Sequence, residues 1–341
     1  MRTLVISDLH LGARVRSGVL HRRQPLEHLL RALSGVDRLV LLGDVVELSR
    51  GRERRALDGA EPILRAIGGA LGPHGEAIVV PGNHDLGLVR PWIMRGGRGL
   101  TLDTPVPLDA TPALERVVAA LRPASVSVRY PGVWLDRWTW ATHGHYLDRH
   151  LLPESTFGIA RGLLGRLPRD GAVPDDYERA GGPSVTRIEA YLLGALPRRV
   201  ATLIEDIAEL ARAATMPLAP QRLLHPRMAR LTAWALGAQV RRASIPALAR
   251  VVHRLGVQAD WVLFGHVHRL GPLPGDRLSE WRGPGGGPKI ANTGSWVYEP
   301  LLVHNARRPH PYWPGGGLLI EDEQEPRAVG LLNDLPVEAL G

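Results

Sequence analysis

The chain has no cysteine among its 341 residues. That excludes a disulfide framework and any zinc or iron–sulfur site built on thiolate. A metal here must sit on His, Asp, Glu or Asn, donors that suit harder or borderline ions. Lysine is almost missing: Lys289 is the only one, so 41 of the 42 basic residues are arginine. No apolar run reaches the length needed to span a bilayer. The opening residues, MRTLVISDLH, hold no apolar stretch followed by a small-residue cleavage site, so no secretory leader is expected. These absences predict a soluble, cytoplasmic protein, with peripheral contact at a membrane left open. Acidic residues are also absent between Glu209 and Asp260, a stretch that carries eight arginines.

What is present is globular in kind: 44% hydrophobic and 22% charged residues. The length suffices for one large domain or two ordinary ones. Net charge is +8, and residues 151–258 hold 15 Arg against 9 Asp and Glu, so +6 of it lies there. A long one-signed stretch suggests an anionic partner.

Five times along the chain an apolar, β-branched run ends in a cluster of Gly, Asp, Asn or His. The runs are 3-TLVISD-8, 38-RLVLLGD-44, 77-AIVVPGNHD-85, 138-WTWATHGH-145 and 259-ADWVLFGHVH-268. Helix-like stretches at 24–33 and 61–71 separate the early runs. Buried strands alternating with helices predict an α/β layered fold. Ligands of such folds collect beyond the carboxyl ends of the strands, where all five polar clusters fall. From 151 to about 245 the pattern turns helical, at 184–196, 200–214 and 226–243, with prolines between the pieces. A helical insertion of roughly a hundred residues is expected, which is within the ordinary size of a domain. A Gly/Pro-rich loop at 282–288, the segment 290-IANTGSW-296 and a last strand at 317–322 follow.

The strand-end residues, in order, are Asp8, His10, Asp44, Asn83, His84, Asp85, His143, His266 and His268. Singly, each has an ordinary reading, because Asp and Asn cap helices and Gly-Asp marks turns. Together, in mixed N/O donor types at successive strand ends, they point to a metal site.

The five blocks 8-DLH-10, 43-GD-44, 82-GNHD-85, His143 and 265-GHVH-268 resemble the pattern of the calcineurin-like metallophosphoesterases. The resemblance covers about 1–150 and 245–300 and leaves out the insertion. It implies a four-layer αββα sandwich: core 1–150, helical insertion 151–245 before the GHVH block, and core again at 246–341. It implies a phosphoesterase that activates water between two divalent metal ions about 4 Å apart. Manganese is the first expectation, with Fe, Zn, Ni or Co as alternatives. By the resemblance Asp44 bridges the ions. Asp8, His10 and His268 complete one shell; Asn83, His143 and His266 complete the other.

His84, in the family, faces the scissile phosphate and can protonate the leaving oxygen. Two carboxylates could orient it: Glu47, placed as in related phosphatases, or Asp85. Glu47 is preferred, although alone it reads equally well as an acid at a helix start. His145 is expected behind the ligands, and Asn292 and Ser295 either line the pocket or form a simple turn.

The implied substrate is a phosphorylated small molecule or a lipid-linked phosphate. Enzymes that cleave UDP-diacylglucosamine share four blocks but usually carry Arg where His84 stands. Protein phosphatases carry an Arg that 43-GDVVELS-49 lacks. A nuclease of the same superfamily would bind DNA through the basic insertion, less expected because the aromatics there are few. In 226–243 an Arg-bearing helical face opposes an apolar one. This suits contact with an anionic membrane as well as a solvated surface. A non-catalytic scaffold on this fold predicts lost ligands, and none is lost.

Overall fold

The computed structural model describes residues 1–13, 18–49, 52–96, 99–150, 167–179, 240–303, 306–322 and 324–340. The helices expected at 184–196 and 200–214, and nearly all of that at 226–243, lie outside the described residues. So does any surface that the basic insertion forms.

Two sheets face each other. The larger is built from β1 (Arg2–Ile6), β2 (Arg38–Leu42), β3 (Glu76–Val80), β4 (Thr104–Pro105), β5 (Ser125–Tyr130), β10 (Gly316–Glu321) and β11 (Arg327–Gly330), in the order β11-β10-β1-β2-β3-β5-β4. β1, β2, β3 and β5 run parallel, while β10 pairs antiparallel with β1. The smaller sheet has the order β6 (Gly132–Trp134), β7 (Thr139–Thr142), β8 (Trp261–Phe264), β9 (Lys289–Asn292). β7, β8 and β9 are parallel. Phe264 of β8 sits opposite Thr142 of β7, so strands from either side of the expected insertion share one register.

Side-chain alternation makes the layers. Leu4, Ile6, Leu39, Leu41, Ala77 and Val79 pack outward against α1 (Arg23–Leu33), α2 (Glu53–Leu71) and α4 (Pro112–Ala120). Val5, Val40, Leu42, Ile78 and Val80 turn inward and meet Ala141, Leu263 and Ala291 of the smaller sheet. That sheet's other face, with Trp140, Val262, Phe264 and Ile290, packs on α6 (Ile245–Arg254) and on Tyr177 of α5 (Pro174–Arg179). The remaining helices are short: α3 (Arg90–Gly96) and α7 (Pro300–Val303). The result is helix, sheet, sheet, helix. Burying each large aliphatic residue of the inner layers contributes roughly 1.5–3 kcal/mol.

Three local differences have physical causes. The helix expected from 61 begins at Glu53, because Ala56, Leu57 and Ala60 extend its buried stripe through Pro62. The strand expected last is followed by β11, whose residues are exposed or half-buried and carry no alternating pattern. Val240–Ser244, inside the expected helix 226–243, forms a π-helical turn ahead of α6. No helix among the described residues is long and apolar enough to cross a membrane.

Candidate metal centre and active site

The strand ends of both sheets converge. β1, β2 and β3 deliver Asp8, Asp44 and Asn83–Asp85; β7 and β8 deliver His143, His266 and His268. The loop after β1 continues alongside the loop after β2. The Asp8, His10 and Leu11 amides donate to the Gly43, Asp44 and Val45 carbonyls at 2.9–3.0 Å. Gly43 has φ +84°, and a Cβ there would collide with the His143 ring. This explains the glycine of the GD block.

The backbone is strained at the chemistry. Six non-glycine residues among those described have positive φ, and five belong to the predicted site: Asp8 (56°), His10 (45°), Asp44 (52°), His266 (68°) and His268 (56°). Each costs roughly 1–3 kcal/mol and persists only where its surroundings enforce it. The sixth, Asp322, directly follows β10 and pairs with the N-terminal amine.

Three groups of side chains converge closely enough for one cation each: Asp8–His10–His268, His10–Asp44–His84 and Asp44–His143–His266. Asp44 belongs to two of them. Its Oδ2 lies 3.3 Å from His143 Nε2, 3.9 Å from His10 Nε2 and 4.0 Å from His84 Nε2. Asn83 Oδ1 lies 3.1 Å from His143 Nε2, and His268 Nε2 lies 3.1 Å from Asp8 Oδ1. Of the predicted ligands, all seven therefore come together around Asp44 and Asp8.

The held nitrogens explain the orientations. His10 Nδ1 donates to Glu47 Oε2 at 3.0 Å, which turns Nε2 inward. His143 Nδ1 donates to the Leu42 carbonyl at 2.9 Å, with the same effect. His84 Nδ1 meets Glu47 at 2.8 Å and lies 2.9 Å from the Ser49 hydroxyl, which itself donates to Glu47. Glu47 thus holds His10 and His84 at once.

Buried carboxylates normally rise in pKa. Here burial is outweighed by histidine: His268 beside Asp8 brings its carboxyl down to about 2. His143, His84 and His10 hold Asp44 well below the ordinary range. The same charges act on His143. Burial works against its charged form, but Asp44 and Asp8 raise it to about 10.

The geometry fits a cation. By hydrogen-bond geometry Asp8 Oδ1 and His10 Nε2 are buried and unsatisfied, although His268 Nε2 lies 3.1 Å from Asp8 Oδ1. Each such orphan costs about 1–3 kcal/mol. Both belong to the Asp8–His10–His268 group, where a divalent ion would satisfy them. Residues 1–154 match the family described as calcineurin-like phosphoesterase. The match covers 154 of the 341 residues and supports membership of that family over them. No curated protein matches the chain. A calcineurin-like phosphoesterase is a metal-dependent hydrolase of phosphoester bonds, and candidate His/Asp ligand groups are present here. His266 and His268 lie beyond the matched residues, and the fold brings them in.

Several expected residues take other places in this candidate site. Asp85 is fully buried and accepts the backbone N–H groups of Gly82 (2.6 Å) and Val45 (2.7 Å). It braces the loops after β2 and β3, while Glu47 is the carboxylate at His84. Burial and the nearby Asp44 charge push Asp85 up to about 6. Asn292 is buried; its amide donates to the Gly265 carbonyl at 2.5 Å, so it shapes the GHVH loop and does not line a pocket. Ser295 is also buried. His145 lies behind His143, ring centroids 5.8 Å apart, with its Nδ1 unpartnered.

Two contacts escaped the sequence reading. Ser7 donates to Asp8 and sits 2.6 Å from Thr293, tying the larger sheet's ligand to the smaller sheet. Asp148, in the 3₁₀ helix His145–His150, lies 2.8 Å from His266 Nε2. A polar neighbour of a ligand was a usable signal for Ser7. None existed for Asp148.

Proposed function

We propose that the chain hydrolyses a phosphomonoester, phosphodiester or pyrophosphate with two divalent ions, to both of which Asp44 would be offered. Asp8, His10 and His268 would hold one ion; Asn83, His143 and His266 would hold the other. The observation that carries this is the position of Asp44, shared by the His10–His84 group and the His143–His266 group. Manganese is the first expectation, and the mixed N/O donors equally accept Fe, Zn, Ni or Co. Ions bound there supply positive charge against the phosphate and water of lowered pKa.

The chain's own residues do the rest. Asp8 and Asp44, kept ionised by their histidine neighbours, offer charged oxygens without first losing a proton. Ligand positions are fixed before substrate arrives, because Glu47 and Leu42 each hold a ring nitrogen. His84 is the general acid: Glu47 keeps the Nδ1 proton, so Nε2 is the nitrogen that gives a proton to the leaving oxygen. Burial lowers the His84 pKa, and Glu47 and Asp44 more than restore it.

The division into core 1–150, insertion 151–245 and core 246–341 belongs to the same reading. So does a lipid-linked or otherwise large anionic substrate, supported by the arginine excess of 151–258. The test is hydrolysis of bis(p-nitrophenyl) phosphate beside p-nitrophenyl phosphate, on chelated protein refilled with Mn²⁺. Turnover that needs the ion is expected. Metal-independent turnover would refute the mechanism, and the preferred ester separates diesterase from monoesterase.

A further inference from the structure

We propose that Asp148 is the positioning residue for His266, fixing which ring nitrogen that histidine presents to an ion. The inference rests on the two-ion reading and adds a residue to it.

His266 differs from the other ligands in how it is held. Its backbone is left-handed, and its amide donates to Asp8 Oδ2 at 3.0 Å. These contacts fix the main chain and leave the ring free to turn about χ1 and χ2. The ring's restraint is Asp148 Oδ1, 2.8 Å from Nε2. A carboxylate at that distance takes the Nε2 proton, so the lone pair resides on Nδ1. The Asp44–His143–His266 group then has a defined donor on every member. Asp148 does for His266 what Glu47 does for His10 and the Leu42 carbonyl does for His143. Carboxylates behind metal-bound histidines act in this way generally.

The support under Asp148 is rigid. It rides on the 3₁₀ helix His145–His150, not on an open loop. The Tyr146 ring of that helix stacks on Tyr177 of α5, centroids 4.6 Å apart and planes 10° from parallel. The Tyr146 hydroxyl donates to Glu178 at 2.6 Å, and His150 Nε2 lies 3.0 Å from the Tyr177 hydroxyl. Asp148 and His266 are themselves mostly shielded, with side-chain exposures of 19% and 15%. The contact therefore links α5, a described part of the expected insertion, to one ligand through a single hydrogen bond. That link has direction: disturbing Asp148 should weaken one ion and spare the other.

The experiment is a Mn²⁺ titration of the full chain, read as bound ions per molecule and their affinities, for wild type, Asp148→Ala and Asp148→Asn. Wild type should take two ions. Asp148→Ala should bind one of them about 10–100-fold more weakly and the other unchanged. Asp148→Asn should fall between, because its amide oxygen still accepts the Nε2 proton. Two wild-type-like ions in Asp148→Ala would overturn the assignment. Equal loss in Asn and Ala would overturn it too, since the carboxylate would then be a ligand. A metal-free melt checks folding; if the alanine variant does not fold, unchanged affinities in Asp148→Asn overturn the proposal. Wild type binding fewer than two ions would bring down the two-ion reading itself, and this inference with it.

Discussion

The two halves of the site are assembled differently. The half at the ends of β1, β2 and β3 is braced between the loops of one sheet, by contacts that span at most 41 residues. Asp85 holds the amides of Gly82 and Val45, and Glu47 holds His10 and His84. The half at the ends of β7 and β8 is braced from afar. His143 leans on the Leu42 carbonyl 101 residues away, His266 on Asp148 118 residues away, and His268 on Asp8. The first half joins the loops that follow three adjacent strands of the larger sheet. The second exists only once both sheets have met. Asp44, shared by two ligand groups, is where the halves join.

The largest effect should come from cutting that join. Asp44→Asn keeps the side chain's shape but removes the charge facing His143, His10 and His84. We predict loss of both ions and of turnover by several orders of magnitude. Metal analysis beside the ester assay decides it; an active, metal-free variant would falsify the bridging role.

His84→Ala separates chemistry from assembly within the first half. It should keep both ions and lose about 10²–10⁴-fold in kcat, the usual worth of a positioned acid. Retention of full kcat with metal bound would remove His84 from the mechanism.

How legible each half is in the sequence follows from the same contrast. Asp8, Asp44 and the GNHD block announce themselves because a β-branched run, a glycine and a polar tip are adjacent in the chain. Glu47 is visible for the same reason, three residues after Asp44. Asp148 is invisible: it sits inside the 3₁₀ helix past the end of β7 rather than at the strand tip, and its partner lies far off in sequence. Asn292 is legible as polar, but not as the residue that shapes the GHVH loop. Asp85 shows that identity does not give role. Next to His84 it reads as chemistry, yet its oxygens are taken up by backbone amides. The layered fold was readable from buried strands alternating with helices. β11 was not, since its half-exposed residues carry no pattern.

A pH series sharpens the comparison further. His143, raised to about 10 by Asp44 and Asp8, holds its proton at neutral pH until an ion displaces it. Asp8, at about 2, does not compete in this way. Ion uptake should release protons, and apparent affinity should rise with pH by up to about tenfold per unit for each proton displaced. Calorimetry in buffers of different ionisation enthalpy reads the proton count. Affinity that is flat between pH 6 and 8 would show that His143 is already neutral.

The smallest effect concerns backbone strain. At most positions Gly is less stable than Ala by roughly 0.5–1 kcal/mol. At His268, where φ is +56°, the order should reverse. His268→Gly should outlast His268→Ala in a metal-free denaturant titration by about 1 kcal/mol. The ordinary order would mean that this loop relaxes its backbone once the side chain is gone.

β10 lies between β1 and β11, so the second strand edge of β1 is closed by residues 316–321. During synthesis at about 5–20 residues per second, β1 emerges roughly 15–60 s before its partner exists. For that time the strand that ends in Asp8 carries an open row of backbone donors and acceptors, the kind of edge to which other chains attach. The nascent protein is thus exposed to misassembly at the strand leading into its candidate metal site. A chaperone that shields exposed strands would matter more to its yield than to the stability of the finished fold.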